Sequence, residues 1–193
     1  VARARELCRE SVRYLLACQL TERRCEAWGP IQRTSLRHGG WRYTPDSVDG
    51  DISVSGWSLI ALFAAGVAGI EVEGQAEAVD WGVDFIMRCV NPSVGFRYTP
   101  ETGGLPSNVQ MGIGALTCVL FGSTAPCLKK ALDDLDHHLC AGTQVGHGEN
   151  SPLYYWYYAT RTNYLRGGYI WEAWRTVTIE QLDRYLFFSN QGA

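Results

Sequence analysis

The amino-acid sequence predicts an all-α chain built of repeated helical hairpins, and three observations carry that prediction. First, Gly40-Trp41-Arg42-Tyr43-Thr44-Pro45 returns 55 residues later as Gly95-Phe96-Arg97-Tyr98-Thr99-Pro100, with five of six positions identical. A period of that length has room for two helices and two loops, and self-similarity on this scale marks stacked supersecondary units. Second, each copy is followed by an apolar stretch rich in Gly, Ala and Ser, Ile52 to Ala68 and then Asn108 to Phe121. A helix that is apolar all round belongs inside, and small side chains let its neighbours come close, so both read as inner helices. Third, the first of these stretches is followed by an amphipathic one. Ala78, Trp81, Gly82, Phe85, Ile86 and Cys89 fall on one face and Glu77, Asp80, Asp84 and Arg88 on the other. That is the 3.6-residue pattern of an outer helix.

Taken in chain order, the N-terminal stretch repeats the outer pattern. Cys8, Val12, Leu15, Leu16 and Gln19 face inward, and Arg5, Glu6, Arg9, Glu10 and Arg13 face outward. Glu6/Arg9 and Glu10/Arg13 form oppositely charged pairs at i,i+3. The inner helix from Ile52, the outer helix through Cys89 and the second inner helix from Asn108 follow. Pro126 suits the first turn of the next outer helix and Pro152 opens a further inner one, because a fixed φ and a missing N–H cost nothing there. About seven helices are expected, with no convincing strand, in a single domain spanning 1–193.

Composition fits a packed globular domain: 46% hydrophobic, 19% charged and 12% aromatic residues, with 7 Trp and 10 Tyr. Lys and Arg number 17 against 20 Asp and Glu, a net charge of -3, so no cationic field gathers phosphates and nucleic acid is not an expected partner. The seven cysteines (8, 18, 25, 89, 118, 127, 140) are odd in number and scattered through apolar segments. They read as small buried hydrophobes in a reducing cytosol rather than a disulfide framework. The N-terminus, Val-Ala-Arg-Ala-Arg-Glu, has neither an initiator Met nor a signal-peptide core, so no secretion signal is expected and the expected location is cytoplasmic. Ile52 to Ile70 runs nineteen residues without a charge, close to a bilayer span. Its serines and glycines, the bounding Asp51 and Glu71 and the absence of a Lys/Arg flank favour an inner helix over a transmembrane segment.

Tyr14-Leu15-Leu16-Ala17-Cys18-Gln19, followed after an insertion by Gly39-Gly40-Trp41, resembles the aromatic-Leu-x3-Gln and Gly-x-aromatic motif of squalene-type cyclases. A weaker copy runs from Phe85-Ile86 to Val90 and then Gly95-Phe96, with Val90 in place of Gln. The run from Gly39 to Trp57 and the stretch Tyr154 to Thr160 resemble bacterial proteins of the prenyltransferase and squalene-oxidase repeat group. The chain thus resembles the α/α-toroid family of squalene cyclases and protein prenyltransferases over most of its length. Tyr185-Leu186 begins another copy and Gln191-Gly192 would introduce its loop before the chain stops at Ala193. The resemblance therefore implies a partial ring, completed by missing sequence or by a second protein chain.

The resemblance also points to chemistry. Class II terpene cyclases carry DxDD at the start of an inner helix, where a carboxyl kept neutral by burial protonates an alkene. Here Asp49-Gly50-Asp51-Ile52 lacks the second Asp of the final pair. Protein prenyltransferase β subunits place zinc on Asp-Gly-Cys with a later His. Asp51 stands where that Cys would be and the stretch around Trp156 supplies no His, so no metal and no cofactor is expected. The alternative role for Asp49 or Asp51 is to cap the inner helix. The aromatics Tyr154, Tyr155, Trp156 and Tyr158, with Trp41 and Trp57, read as the wall of an apolar cavity for an isoprenoid or lipid-like molecule. Their alternative role, shared with Phe96, Trp171 and Trp174, is core packing. His137-His138-Leu139-Cys140, with His147 and the preceding Asp133, Asp134 and Asp136, offers ligand types without zinc-site spacing and reads as a solvated helix end. No Gly-rich phosphate loop, G-x-S-x-G elbow or Cys-Gly-Glu-Gln thioester is present.

Two expectations follow. One is a terpenoid cyclase- or prenyltransferase-like protein with Asp49 and Asp51 as catalytic carboxylates. The other is a non-catalytic scaffold whose toroid presents a concave surface to a protein or peptide. The destination of the two carboxylates, an aromatic chamber or a helix start, separates them.

Overall fold

A computed structural model of the chain describes residues 1–24, 26–93, 95–101, 107–122, 126–140 and 152–189, with backbone only for 126–127, 134, 137–140, 152 and 184–189. It contains α1 (Ala2–Cys18), α2 (Ile52–Val67), α3 (Gln75–Arg88), α4 (Asn108–Leu120), α5 (Pro126–Cys140), α6 (Pro152–Arg166) and α7 (Gly168–Ser189). The two prolines stand at the first positions of α5 and α6, as their chemistry requires. α3 begins three residues before Ala78, behind Gly74, whose φ of 80° only glycine adopts without strain. The expectation of no strand is corrected: β1 (Val90–Asn91) and β2 (Gly95–Phe96) form an antiparallel pair, Val90 opposite Phe96 and Asn91 opposite Gly95. Two residues per strand are too few to show alternation in a sequence.

That small ladder explains the repeated hexapeptide. In the first copy Leu20 N–H donates to Gly40 O (2.9 Å) and Gly39 N–H to Leu20 O (2.7 Å). Leu20 and Gly40 hold the same places as Asn91 and Gly95, although a longer loop with a 3-10 turn at Glu26–Trp28 separates them. Each pairing turns the chain so that the next aromatic enters the core. Trp41 is 1% exposed, donates its indole N–H to Leu15 O (2.8 Å) and lies against Gly82, where a Cβ would come within 2.8 Å of its ring. Phe96 is fully buried against Gly114, where a Cβ would come within 2.4 Å. Gln19 ties the motif across units: its side-chain amide donates to Gly39 O and to Ala78 O, both at 2.8 Å. Val90, at the corresponding place, has no donor to do this.

α2, α4 and α6 touch in succession and form one row. α1 and α3 pack on α2 and on each other, α3 and α5 pack on α4, and α7 packs on α6. α4 sits at the centre, with every residue from Met111 to Cys118 buried. One glycine permits each step along the row. A Cβ on Gly56 would meet Ile113 Cγ2 of α4 at 2.5 Å, and one on Gly112 would meet Tyr158 Cβ of α6 at 3.0 Å.

On α1, Val12 is buried and Leu15 and Leu16 are half-buried as expected, but Cys8 is exposed. Arg13 pairs with Glu6 (3.2 Å), which also holds Arg9, rather than with Glu10. Cys89 and Cys118 are buried and Cys18 is partly so. Burial pushes the Cys89 thiol up to about 12, which leaves it inert. The side chains of Cys25, Cys127, Cys140, His137 and His138 and those of 185–189, together with His147 and 190–192, lie outside the described residues; the backbone of 185–189 continues α7. No described helix is long and apolar enough to cross a membrane.

Candidate functional site

Asp51 is fully buried and is the N-cap of α2. Its Oδ1 accepts from Ser53 N–H (2.7 Å) and Val54 N–H (2.9 Å), and its Oδ2 accepts from Arg42 Nη1 (3.2 Å). These are the first free N–H groups of the helix, and a carboxylate also suits the positive end of its dipole. Ser107 occupies the same place before α4, with Gln110 completing a capping box. Burial pushes the Asp51 carboxyl up, while the two backbone N–H groups, Arg42 and the Tyr98 hydroxyl pull against it. Arg42 lies over the rings of Tyr43 and Tyr98, each at 5.5 Å. Asp49 is 47% exposed and stands 3.7 Å from Arg42 Nη2.

Beyond this helix start, α2 and α6 meet through aromatics. Trp57 of α2 lies 4.8 Å from Tyr157, 5.7 Å from Tyr158 and 6.5 Å from Tyr154, ring centre to ring centre. Its indole N–H donates to the Tyr154 hydroxyl (3.0 Å), which is 3.2 Å from the Tyr158 hydroxyl. Positions 154, 157, 158 and 161 share one face of α6, so the stripe ends on Arg161. Arg161 Nη1 donates to the Tyr157 hydroxyl (2.7 Å), with the guanidinium 5.5 Å from that ring's centre. Burial, the Tyr154 hydroxyl, Tyr157 and the charge of Asp51 together push the Tyr158 hydroxyl far above the usual phenol range. Tyr158 is thus a neutral hydrogen-bonding group. Trp57 keeps 42% of its surface open to solvent, so the cluster is a wall rather than a sealed core.

Of the residues read from the sequence as substrate-binding, the structure brings Trp57, Tyr154 and Tyr158 together and sends the others elsewhere. Tyr155 is buried edge-on to Trp174 of α7 (6.2 Å), Trp156 is buried in the core, and Trp41 closes the first repeat. Tyr157 and Arg161 belong to the cluster and were missed. The i, i+3, i+4, i+7 spacing from Tyr154 was the available signal. Among the described residues no group of three His, Cys, Asp or Glu side chains could hold a metal ion.

No family model, curated protein or solved structure matches this chain.

Proposed function

We propose that this chain is part of an α/α toroid of the squalene cyclase and prenyltransferase type, and that it binds an isoprenoid or other lipid-like molecule on the aromatic face between α2 and α6. The observation that carries the reading is Trp57, an indole packed against Tyr157 and Tyr158 and yet 42% exposed. Large aromatic faces held rigid and left open to solvent suit an apolar ligand. The alternation of rows, with α2, α4 and α6 in succession and glycine at each contact, supports the toroid type.

The proposed activity is binding rather than alkene protonation. An acid for that step needs a proton-bearing oxygen aimed at the substrate. Both oxygens of Asp51 are engaged by the helix start and Arg42, and Asp49 lacks the burial that would keep a carboxyl neutral. Titrating the protein with farnesol while following tryptophan fluorescence tests the reading. A saturable change that is lost in Trp57→Ala is expected; no saturable change, or one untouched by Trp57→Ala, contradicts it.

The scaffold reading is favoured by a different feature, an apolar groove of about 400 Å³ between α1 and α2, lined by Val12, Leu15, Ala61, Ala64 and Ala68. It lies where a preceding inner helix would pack, and a second chain could supply one.

A further inference from the structure

Arg161 differs from the arginines around it. Arg42 faces Asp51 and Asp49, Arg166 holds Asp136 at 2.7 Å, and Arg175 holds Glu172 at 2.7 Å. Arg161 has no carboxylate within ion-pair distance among the described residues. Its one hydrogen bond there runs from Nη1 to the Tyr157 hydroxyl. That bond and the ring beneath fix the plane of the guanidinium and leave its Nε–Nη2 edge unengaged by the described residues. Two parallel N–H groups on one rigid edge match the two oxygens of a carboxylate. The same Tyr157 that orients Arg161 packs its ring 4.8 Å from exposed Trp57, so a charged end and an apolar wall adjoin.

We propose that this face binds an amphiphilic carboxylate, with the acid group on the Nε–Nη2 edge of Arg161 and the hydrocarbon tail across Trp57 and Tyr154. The assignment rests on the lipid-binding reading above and gives it a head group. A monoanion fits better than a phosphate or diphosphate. Among the described residues the site holds one uncompensated cation, Arg42 is already committed to two carboxylates, and the neighbouring phenol Tyr158 is neutral. The net charge of -3 provides no background field to hold a dianion.

The test titrates the full chain near neutral pH with farnesoic acid, farnesol and farnesyl phosphate, which share one tail, with tryptophan fluorescence as the readout. The acid is expected to bind about tenfold more tightly than the alcohol, the gain of one charge-assisted contact. Arg161→Gln should abolish that preference, so that the variant binds the acid no more tightly than it binds farnesol, with its helical circular-dichroism spectrum retained. Arg161→Lys should restore only part of it, since an ammonium supplies the charge without the fork. Equal affinity for acid and alcohol, or a preference that survives Arg161→Gln, overturns the head-group assignment and leaves tail binding standing. Tighter binding of the phosphate than of the acid overturns the monoanion. Failure of all three to bind removes the lipid reading together with the assignment.

Discussion

Asp51 satisfies one end of a helix and one guanidinium at once, so its removal should be felt in stability. Asp51→Ala deletes an N-cap and leaves Arg42 without its buried partner, an expected loss of about 2–3 kcal/mol in urea unfolding. Asp51→Asn keeps a cap acceptor and should cost about 1 kcal/mol. Asp49→Ala, at a half-buried site with only a long contact to Arg42, should leave the urea midpoint nearly unchanged; a large loss there would contradict the roles assigned to the two residues. Glu22 supplies a second residue-level prediction. Burial alone would raise its carboxyl, but Arg33, a backbone N–H and His38 outweigh that and hold it at about 2, against an ordinary 4.5. A carboxyl lowered on folding stabilises the native state above its unfolded value. That contribution is full above about pH 4.5 and fades as pH falls towards about 2. Glu22→Gln should therefore flatten the acid side of the stability curve, as measured by urea midpoints across that window.

At the scale of elements, the joints between helices carry the specificity. Gly114→Ala would drive a Cβ into the Phe96 ring at 2.4 Å, and because that ring is fully buried the expected cost is about 1–3 kcal/mol. Gly66→Ala, in α2 with nothing within 4 Å, should stabilise by about 0.5 kcal/mol. The opposite signs, read from thermal or urea unfolding, test the packing of the inner row. Gln19→Leu strands the buried Gly39 carbonyl, while Ala78 O keeps its helical partner, and should cost about 1–3 kcal/mol. Much at this scale was legible in the sequence. The apolar runs and the prolines located α2, α4, α5 and α6 because helix periodicity and the N1 preference are local properties. The strand pair and the start of α3 were not, since a two-residue ladder and a left-handed Gly74 leave no periodic trace.

At the scale of the molecule, the site was only partly legible. The run Tyr154 to Tyr158 announced an aromatic helix, but which rings line a surface depends on the phase of α6 against α2 and α7. Tyr155 and Trp156 turned into the core and Tyr157 turned out beside Trp57. Arg161 was invisible because its significance lies in having no carboxylate partner among the described residues, which only the packing of helices reveals. The sequence offers Asp51 both as a catalytic group and as a cap, and only its contacts in the folded chain distinguish the two. These placements leave an aromatic, solvent-open face as the feature on which the proposed ligand binding rests. The measurement that tests it most directly is native mass spectrometry of the purified chain, with lipid extraction of the same sample, for the unaltered protein and for Trp57→Ala. The account predicts a retained isoprenoid or lipid-like molecule on the unaltered protein and its loss from the variant. An empty protein, or a ligand retained equally by both, would contradict it.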